Sequence, residues 1–217
     1  MFHLTNISVA YDDKPVLHNI SLSIDEGDKV VLIGQSGAGK STLLRKLYDL
    51  QKRQAAFIHQ DYALVPQLST FHNIYMGRLD QHSIFYNAWT LIHPQKRERD
   101  EMAPILDALD LTDKQNERVS ELSGGQQQRV AVGRALYRNA KIILGDEPVS
   151  AIDPQQSDIV LNLLKHHAGT LVLAMHDVEL ALRHFDRIIG LRNGHIAFNL
   201  LRNQVTDAHL TELFNRA

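Results

Sequence analysis

Gly34-Gln35-Ser36-Gly37-Ala38-Gly39-Lys40-Ser41 closes the apolar run KVVLIG (29–34) and precedes a helical stretch that begins at Lys40. Glycines allow a turn sharp enough for several backbone N–H groups to face one anion. The helix that follows aims its positive end at the same point. From there Lys40 reaches the β- and γ-phosphates of a nucleotide, and the Ser41 hydroxyl can ligate Mg²⁺. The alternative, a glycine-rich strand–helix turn without a ligand, leaves the Lys-Ser pair without a purpose. A second candidate is Asp146-Glu147, at the end of the apolar run IILG. Carboxylates at the carboxyl end of a buried strand face the crevice where α/β folds bind ligands. Asp146 can hold the Mg²⁺ shell and Glu147 can polarise a water that attacks the γ-phosphate. Standing alone, Asp-Glu-Pro could equally be a strand-end turn. The third is Leu122-Ser123-Gly124-Gly125-Gln126, which opens a helix and so offers another anion-binding N-terminus. By itself it could be a simple Ser-Gly-Gly cap. One chain has little use for two such sites on one nucleotide. A head-to-tail dimer does, if each chain lays its 123–126 turn over the nucleotide in the other's phosphate loop.

Positioning these residues takes buried strands and helices in alternation. KVVLIG (29–34), AAFIH (55–59), KIILGDEP (141–148) and TLVLAMH (170–176) read as strands, and residues 1–10 and SLSI (21–24) alternate as half-buried ones. Helical spacing runs from Lys40 to about Tyr48, through the LSGGQQQRVAVGRALYR segment, and through DIVLNLLKHH. Between Ser69 and Leu109 the chain is mostly helical, with Pro94 and Pro104 expected as breaks or first-turn residues. Asn193-Gly194 marks a hairpin, and TDAHLTELFNR reads as a short C-terminal helix. The expectation is an α/β fold with a parallel sheet and a helical subdomain inserted over about 66–138, all within one domain spanning 1–217.

Composition limits the remaining choices. The chain has 217 residues, a formal net charge of −2 and no basic run, so nucleic acid is not an expected partner. It has no cysteine, which excludes disulfides, Fe–S clusters and thiolate zinc sites. No stretch approaches the roughly 20 apolar residues that span a bilayer, and the N-terminus has no secretion pattern. The expectation is a chain soluble as synthesised, to which a membrane matters only through a partner.

With these motifs in this order, the sequence resembles the ATP-binding cassette family over nearly its whole length. The resemblance implies the P-loop cassette fold, with a small antiparallel β-subdomain and an inserted helical subdomain. It implies Mg²⁺-dependent ATP hydrolysis by a dimer that drives separate membrane permease subunits from the cytoplasmic face of the inner membrane. By the same resemblance Tyr11 stacks on adenine and residues 34–42, Thr42 included, form the phosphate loop. Gln60 links Mg²⁺ and the attacking water to the permease interface. Ser123, Gly124, Gly125 and Gln126 are the signature, Asp153 ends a loop that crosses the dimer interface, and His176 contacts the γ-phosphate. Two departures stand out. The segment between the first helix and Gln60 is short, so the antiparallel subdomain looks trimmed. Gly133 and Gly145 stand where alanine is commoner.

LVPQLSTFHNIYMGRL (64–79), Trp89, ILDALDL (105–111) and GDEPVSAIDP together resemble the phosphonate-importer branch. That implies import of a phosphonate or a similar small oxyanion, delivered to the permease by a solute-binding protein. A lipoprotein- or peptide-exporter subunit and a non-transport ATPase of the same family are the alternatives. The apolar content of Asp61–Leu79 is more than a solvated loop needs. The expectation is a groove there for a permease helix, lined by Leu64, Val65 and Tyr75, with Phe71 and Ile74 packed inside.

Overall fold

The computed structural model describes residues 1–11 and 14–215. The chain opens with β1 (Phe2–Tyr11) and β2 (Lys14–Ile24), a separate antiparallel pair. β2 is longer than SLSI because a register shift hides its alternation. Asn19 takes a left-handed φ of 48°, and the buried positions step from Leu17 to Ile20 before resuming at Leu22 and Ile24. β3 (Lys29–Ile33) follows, then α1 (Lys40–Gln51) and β4 (Ala55–Ile58). Only Lys52–Gln54 separate α1 from β4, so nothing of a β-subdomain is built there.

Between β4 and the next strand come α2 (Thr70–Tyr75), α3 (Ile84–Ile92), α4 (Lys96–Ala108) and α5 (Gly124–Arg138). Pro104 lies inside α4 and does not break it. It sits on the exposed side, so the carbonyl it leaves without a partner faces water, while Met102, Leu106 and Leu109 are buried on the other side. α5 crosses α2 closely. A Cβ at Gly133 would lie 3.0 Å from Ile74 Cδ1 and 3.2 Å from Leu109 Cδ1, which accounts for glycine at that position. At Gly145 it would lie 2.7 Å from Leu173 Cδ2.

The chain then runs through β5 (Ile142–Asp146), α6 (Pro154–His167), β6 (Thr170–Ala174), α7 (Val178–His184), β7 (Arg187–Arg192), β8 (His195–Leu201) and α8 (Asp207–Phe214). The main sheet has the order β4-β5-β6-β3-β7-β8. All its pairings are parallel except β7–β8, the hairpin turned at Asn193-Gly194, both at positive φ. Neighbouring strand residues serve opposite faces. Val30 and Leu32 pack with α1 and the β1–β2 pair, while Val31 and Ile33 pack with the helices on the other side. The fold therefore matches the α/β P-loop expectation, with a two-stranded antiparallel sheet among the described residues. Its parallel strands β3, β5 and β6 all point their carboxyl ends at one place.

Candidate functional site

At that place lies a pocket lined by Ser36, Gly37, Gly39, Lys40, Ser41 and Thr42 from the glycine loop, with Gln60, Glu147 and His176 from the ends of three other strands. Gly39 caps α1 at φ 102°, a conformation that side-chain-bearing residues rarely adopt, and a Cβ there would meet Leu17 Cδ2 at 2.6 Å. No side chain bonds the first turn of α1, which leaves its N–H groups for a ligand. Lys40 is buried. Its Nζ donates to the carbonyl oxygens of Gly34 (2.8 Å) and Gln35 (3.0 Å). Burial holds the ammonium below the ordinary lysine range, and Glu147 and Asp146 oppose that shift. Ala38 is buried in the loop wall, and Gln35 reaches away from the pocket to the Phe214 carbonyl at the end of α8 (2.7 Å).

Asp146 ends β5, 4% exposed, and its Oδ1 has no hydrogen-bond partner. A buried, unpartnered carboxylate oxygen is costly unless a cation or donor meets it. It faces a cleft shared with Gln60 and Asp61. Gln60 lines both this cleft and the loop pocket that holds Ser41. The oxygens of Ser41, Gln60 and Asp146 are of the hard kind, with one carboxylate, that suits Mg²⁺ sharing its shell with phosphates. Among the described residues no three His, Cys, Asp or Glu side chains gather as an all-protein metal cage.

Glu147 is held in a left-handed conformation, φ 55°, which costs a non-glycine residue on the order of 1–3 kcal/mol and persists only where the surroundings over-determine it. Its N–H donates to the Ala174 carbonyl (3.0 Å). Its own carbonyl accepts from Gln128 Nε2 (2.6 Å) and Ser150 Oγ (3.2 Å). Its carboxylate Oε1 then meets His176 Nε2 at 2.6 Å. The result is a carboxylate aimed across the mouth of the loop pocket with a second polar group fixing its direction.

Other expected residues lie elsewhere. Ser123, Gly124, Gly125 and Gln126 do not line this pocket. They form the start of α5 as a capping box, with Gln126 N–H on Ser123 Oγ (3.3 Å) and Ser123 N–H on Gln126 Oε1 (2.9 Å). Ser123 and Gly124 are exposed. Asp153 caps α6 by accepting from the Gln156 N–H (3.0 Å) and is also outside the pocket. The side chain of Tyr11 lies outside the described residues. Tyr75 is corrected: it is buried, stacked on Phe71, with its hydroxyl on Asn87 Oδ1 (2.7 Å), so it lines no groove. Leu64 and Val65 are half-buried, as a groove wall needs. Sequence reasoning missed Gln128 and Val16. Gln128 shows a signal in hindsight, a polar residue on the face of α5 shared with Ala131, Val132 and Ala135. Val16 shows none.

A sequence model described as ABC transporter matches residues 17–150, well over half of the chain. The chain belongs to the ABC transporter family. Its curated relatives agree over nearly full length. It is 36% identical to the phosphonates import ATP-binding protein PhnC of Lactobacillus johnsonii, covering 99% of this chain and 96% of that one. It is 39% identical to PhnC 1 of Pseudomonas syringae pv. syringae, covering 97% and 90%. The first alignment runs over 245 positions against the 217 residues here, so the relative has segments that this chain lacks. Among solved structures the dimeric MJ0796, a bacterial ABC transporter cassette, superposes with a TM-score of 0.79 at 27% identity, over 93% of this ABC chain and 99% of that one. The same cassette in a post-hydrolysis state bound to ADP and Pi gives 0.77 at 26% identity, over 92% and 98%.

Proposed function

We propose that this chain is the Mg²⁺-dependent, ATP-hydrolysing subunit of an importer for a phosphonate or a closely similar small oxyanion. It works as a head-to-tail homodimer on separate permease subunits, at the cytoplasmic face of the inner membrane. A solute-binding protein supplies the cargo, and nucleic acid has no part in the cycle. The observation that carries this reading is Glu147 aimed by His176 across the mouth of the pocket that holds Lys40. The cargo is supported by relatives whose names specify phosphonate import.

The chain acts as one ATP-binding domain, with residues of about 66–138 as its helical subdomain. Lys40 exchanges its two carbonyl partners for phosphate oxygens, and the free N–H groups of the loop and α1 surround the same phosphates. Ser41, Gln60 and Asp146 would hold Mg²⁺, which would supply neutralisation of phosphate charge. Glu147 accepts the proton of the attacking water, and His176 keeps the carboxylate directed and contacts the γ-phosphate. Tyr11 stacks on the base. The Ser123–Gln126 turn and the Asp153 loop lie outside the chain's own pocket, and in the dimer they complete the partner's. The helical subdomain meets the permease at a groove beside β4, walled by Phe57, His59, Ala63, Met76 and Arg134 and extended by Leu64 and Val65. On the same subdomain α3 exposes Ile84, Phe85, Trp89 and Ile92.

The test is uptake. Vesicles carrying the permease and this chain, with ATP inside the compartment where the chain sits, should accumulate a labelled phosphonate presented with the solute-binding protein. Accumulation of inorganic phosphate in preference to any phosphonate or phosphite would reject the cargo. ATP hydrolysis that proceeds without Mg²⁺ would reject the mechanism.

A further inference from the structure

Helix α5 starts at the Ser123–Gln126 turn, whose Ser123 and Gly124 are exposed. Just beyond, on its buried side, stands Gln128, 1% exposed. Its amide nitrogen donates to the Glu147 carbonyl (2.6 Å) and lies 3.3 Å from Ser150 Oγ. Its amide oxygen accepts from the Ala151 N–H (2.7 Å). One side chain thus holds both ends of the 147–151 turn. The direction of Glu147 depends on this, because a residue in the left-handed region aims its side chain according to what fixes its backbone groups. Gly125 adds a second tie. A Cβ there would lie 2.8 Å from the Ala151 carbonyl oxygen, so the first turn of α5 and the 150–153 segment are in direct contact. Simple space-filling would be served as well by an apolar residue. A buried amide with every partner fixed is costly to unpair and so specifies one arrangement.

We propose that Gln128 is a positioning residue that couples the two nucleotide sites of the dimer. It joins the signature turn, which covers the partner's nucleotide, to Glu147, which serves the chain's own, so that the two move as one piece. This rests on the dimeric ATPase reading above. Seating of the turn on the partner's γ-phosphate then aligns Glu147 at the other site, and hydrolysis becomes cooperative in ATP.

Two variants test it, Gln128→Met and Gln128→Glu, with ATP affinity of the isolated chain, kcat and the Hill coefficient as readouts. The native coefficient should exceed 1 and approach about 2, the number of sites. In Gln128→Met, kcat should fall roughly 10- to 100-fold, the scale of a misaligned catalytic group. ATP affinity should stay within about twofold and the Hill coefficient should drop toward about 1. In Gln128→Glu the new carboxylate faces the Glu147 carbonyl, and burial raises its pKa. Once protonated it regains a donor. The ratio of variant to native kcat should therefore rise as pH falls from about 8 to about 6. A native coefficient of 1, an unchanged coefficient in Gln128→Met, or a ratio in Gln128→Glu that is flat with pH would each overturn the coupling role. Should Gln128→Met fail to fold, the pH ratio of Gln128→Glu decides alone. A native chain that hydrolyses no ATP in the same assay would instead refute the ATPase reading on which the proposal rests.

Discussion

Lys40 and Glu147 make separable contributions, and substitutions should separate them. Lys40→Ala removes the charge that sits among the phosphates, so ATP binding itself should collapse in an equilibrium assay. Glu147→Gln keeps shape and hydrogen bonding to His176 but loses the base. Turnover should fall roughly 10²- to 10⁴-fold while binding persists, and an ATP-bound dimer should accumulate on a sizing column. Undiminished turnover in Glu147→Gln would remove its assigned role. Lys40 also has a signature in protons. Burial lowers its pKa from the usual 10.5 in the empty chain, and phosphates beside it favour the charged form. The sign is therefore uptake: ATP binding should take up protons in the pH interval between the lowered pKa of the empty chain and the raised one of the complex, and the uptake should vanish below that interval, where Lys40 is charged in both states. Calorimetry in buffers of different ionisation enthalpy measures it, and proton release would contradict the cause given. Both residues were legible in the sequence because their motifs are local. Gln128 was not, standing in a run of three glutamines of which only the fold buries one and turns it onto Glu147.

Strands and helices were legible where one rule governs them. The buried runs of β3, β5 and β6 have no competing reading, since their neighbours cover both faces. β2 was read as four residues instead of eleven because the left-handed Asn19 interrupts its alternation. Pro104 was expected as a break or a first-turn residue and is neither, because burial of Met102, Leu106 and Leu109 outweighs one lost hydrogen bond on the wet side. Tyr75 was placed on a surface because nothing local tells which face of a six-residue helix meets α5. Its burial moves the expected docking surface toward Leu64, Val65 and the exposed face of α3. Val65→Asp, and separately Phe85→Glu with Trp89→Glu, should leave ATP hydrolysis by the purified dimer within about twofold, as surface changes usually do. They should reduce co-purification with the permease and uptake in cells. Normal uptake in all of them at normal protein levels would show that the permease sits elsewhere. Gly133→Ala is a finer test of the α2–α5 crossing. Helix propensity alone favours alanine by about 1 kcal/mol, yet the 3.0 Å approach of Ile74 Cδ1 opposes it. Thermal unfolding should show no gain in stability, and a gain of several degrees would mean that α2 yields easily.

At the scale of the whole molecule, the single chain is incomplete in a definite way. It carries a glycine loop proposed to bind phosphates and, outside that pocket, a helix start at Ser123 with the same capacity. Sequence order could place both motifs but could not show that the fold keeps them apart, which is what makes a second chain necessary. If each composite site takes its Lys40 from one chain and its Ser123 from the other, two inactive variants can repair each other. In a Lys40→Ala and Ser123→Ala heterodimer one site has both lesions and the other has none. Equal mixing gives about half heterodimers, each with one of two sites whole, so activity should recover to about a quarter of native if sites fire independently. Coupling through Gln128 would lower that yield. No recovery at all therefore has two explanations, obligatory coupling or a wrong geometry, and a second measurement separates them. The chain has no cysteine of its own, so Ser36→Cys in one chain and Ser123→Cys in another are clean probes. If the turn covers the partner's loop, oxidation in the presence of ATP should link the two chains into a covalent dimer. A disulfide that forms only within a chain carrying both changes, or none between chains when ATP is bound, would rule out the head-to-tail arrangement.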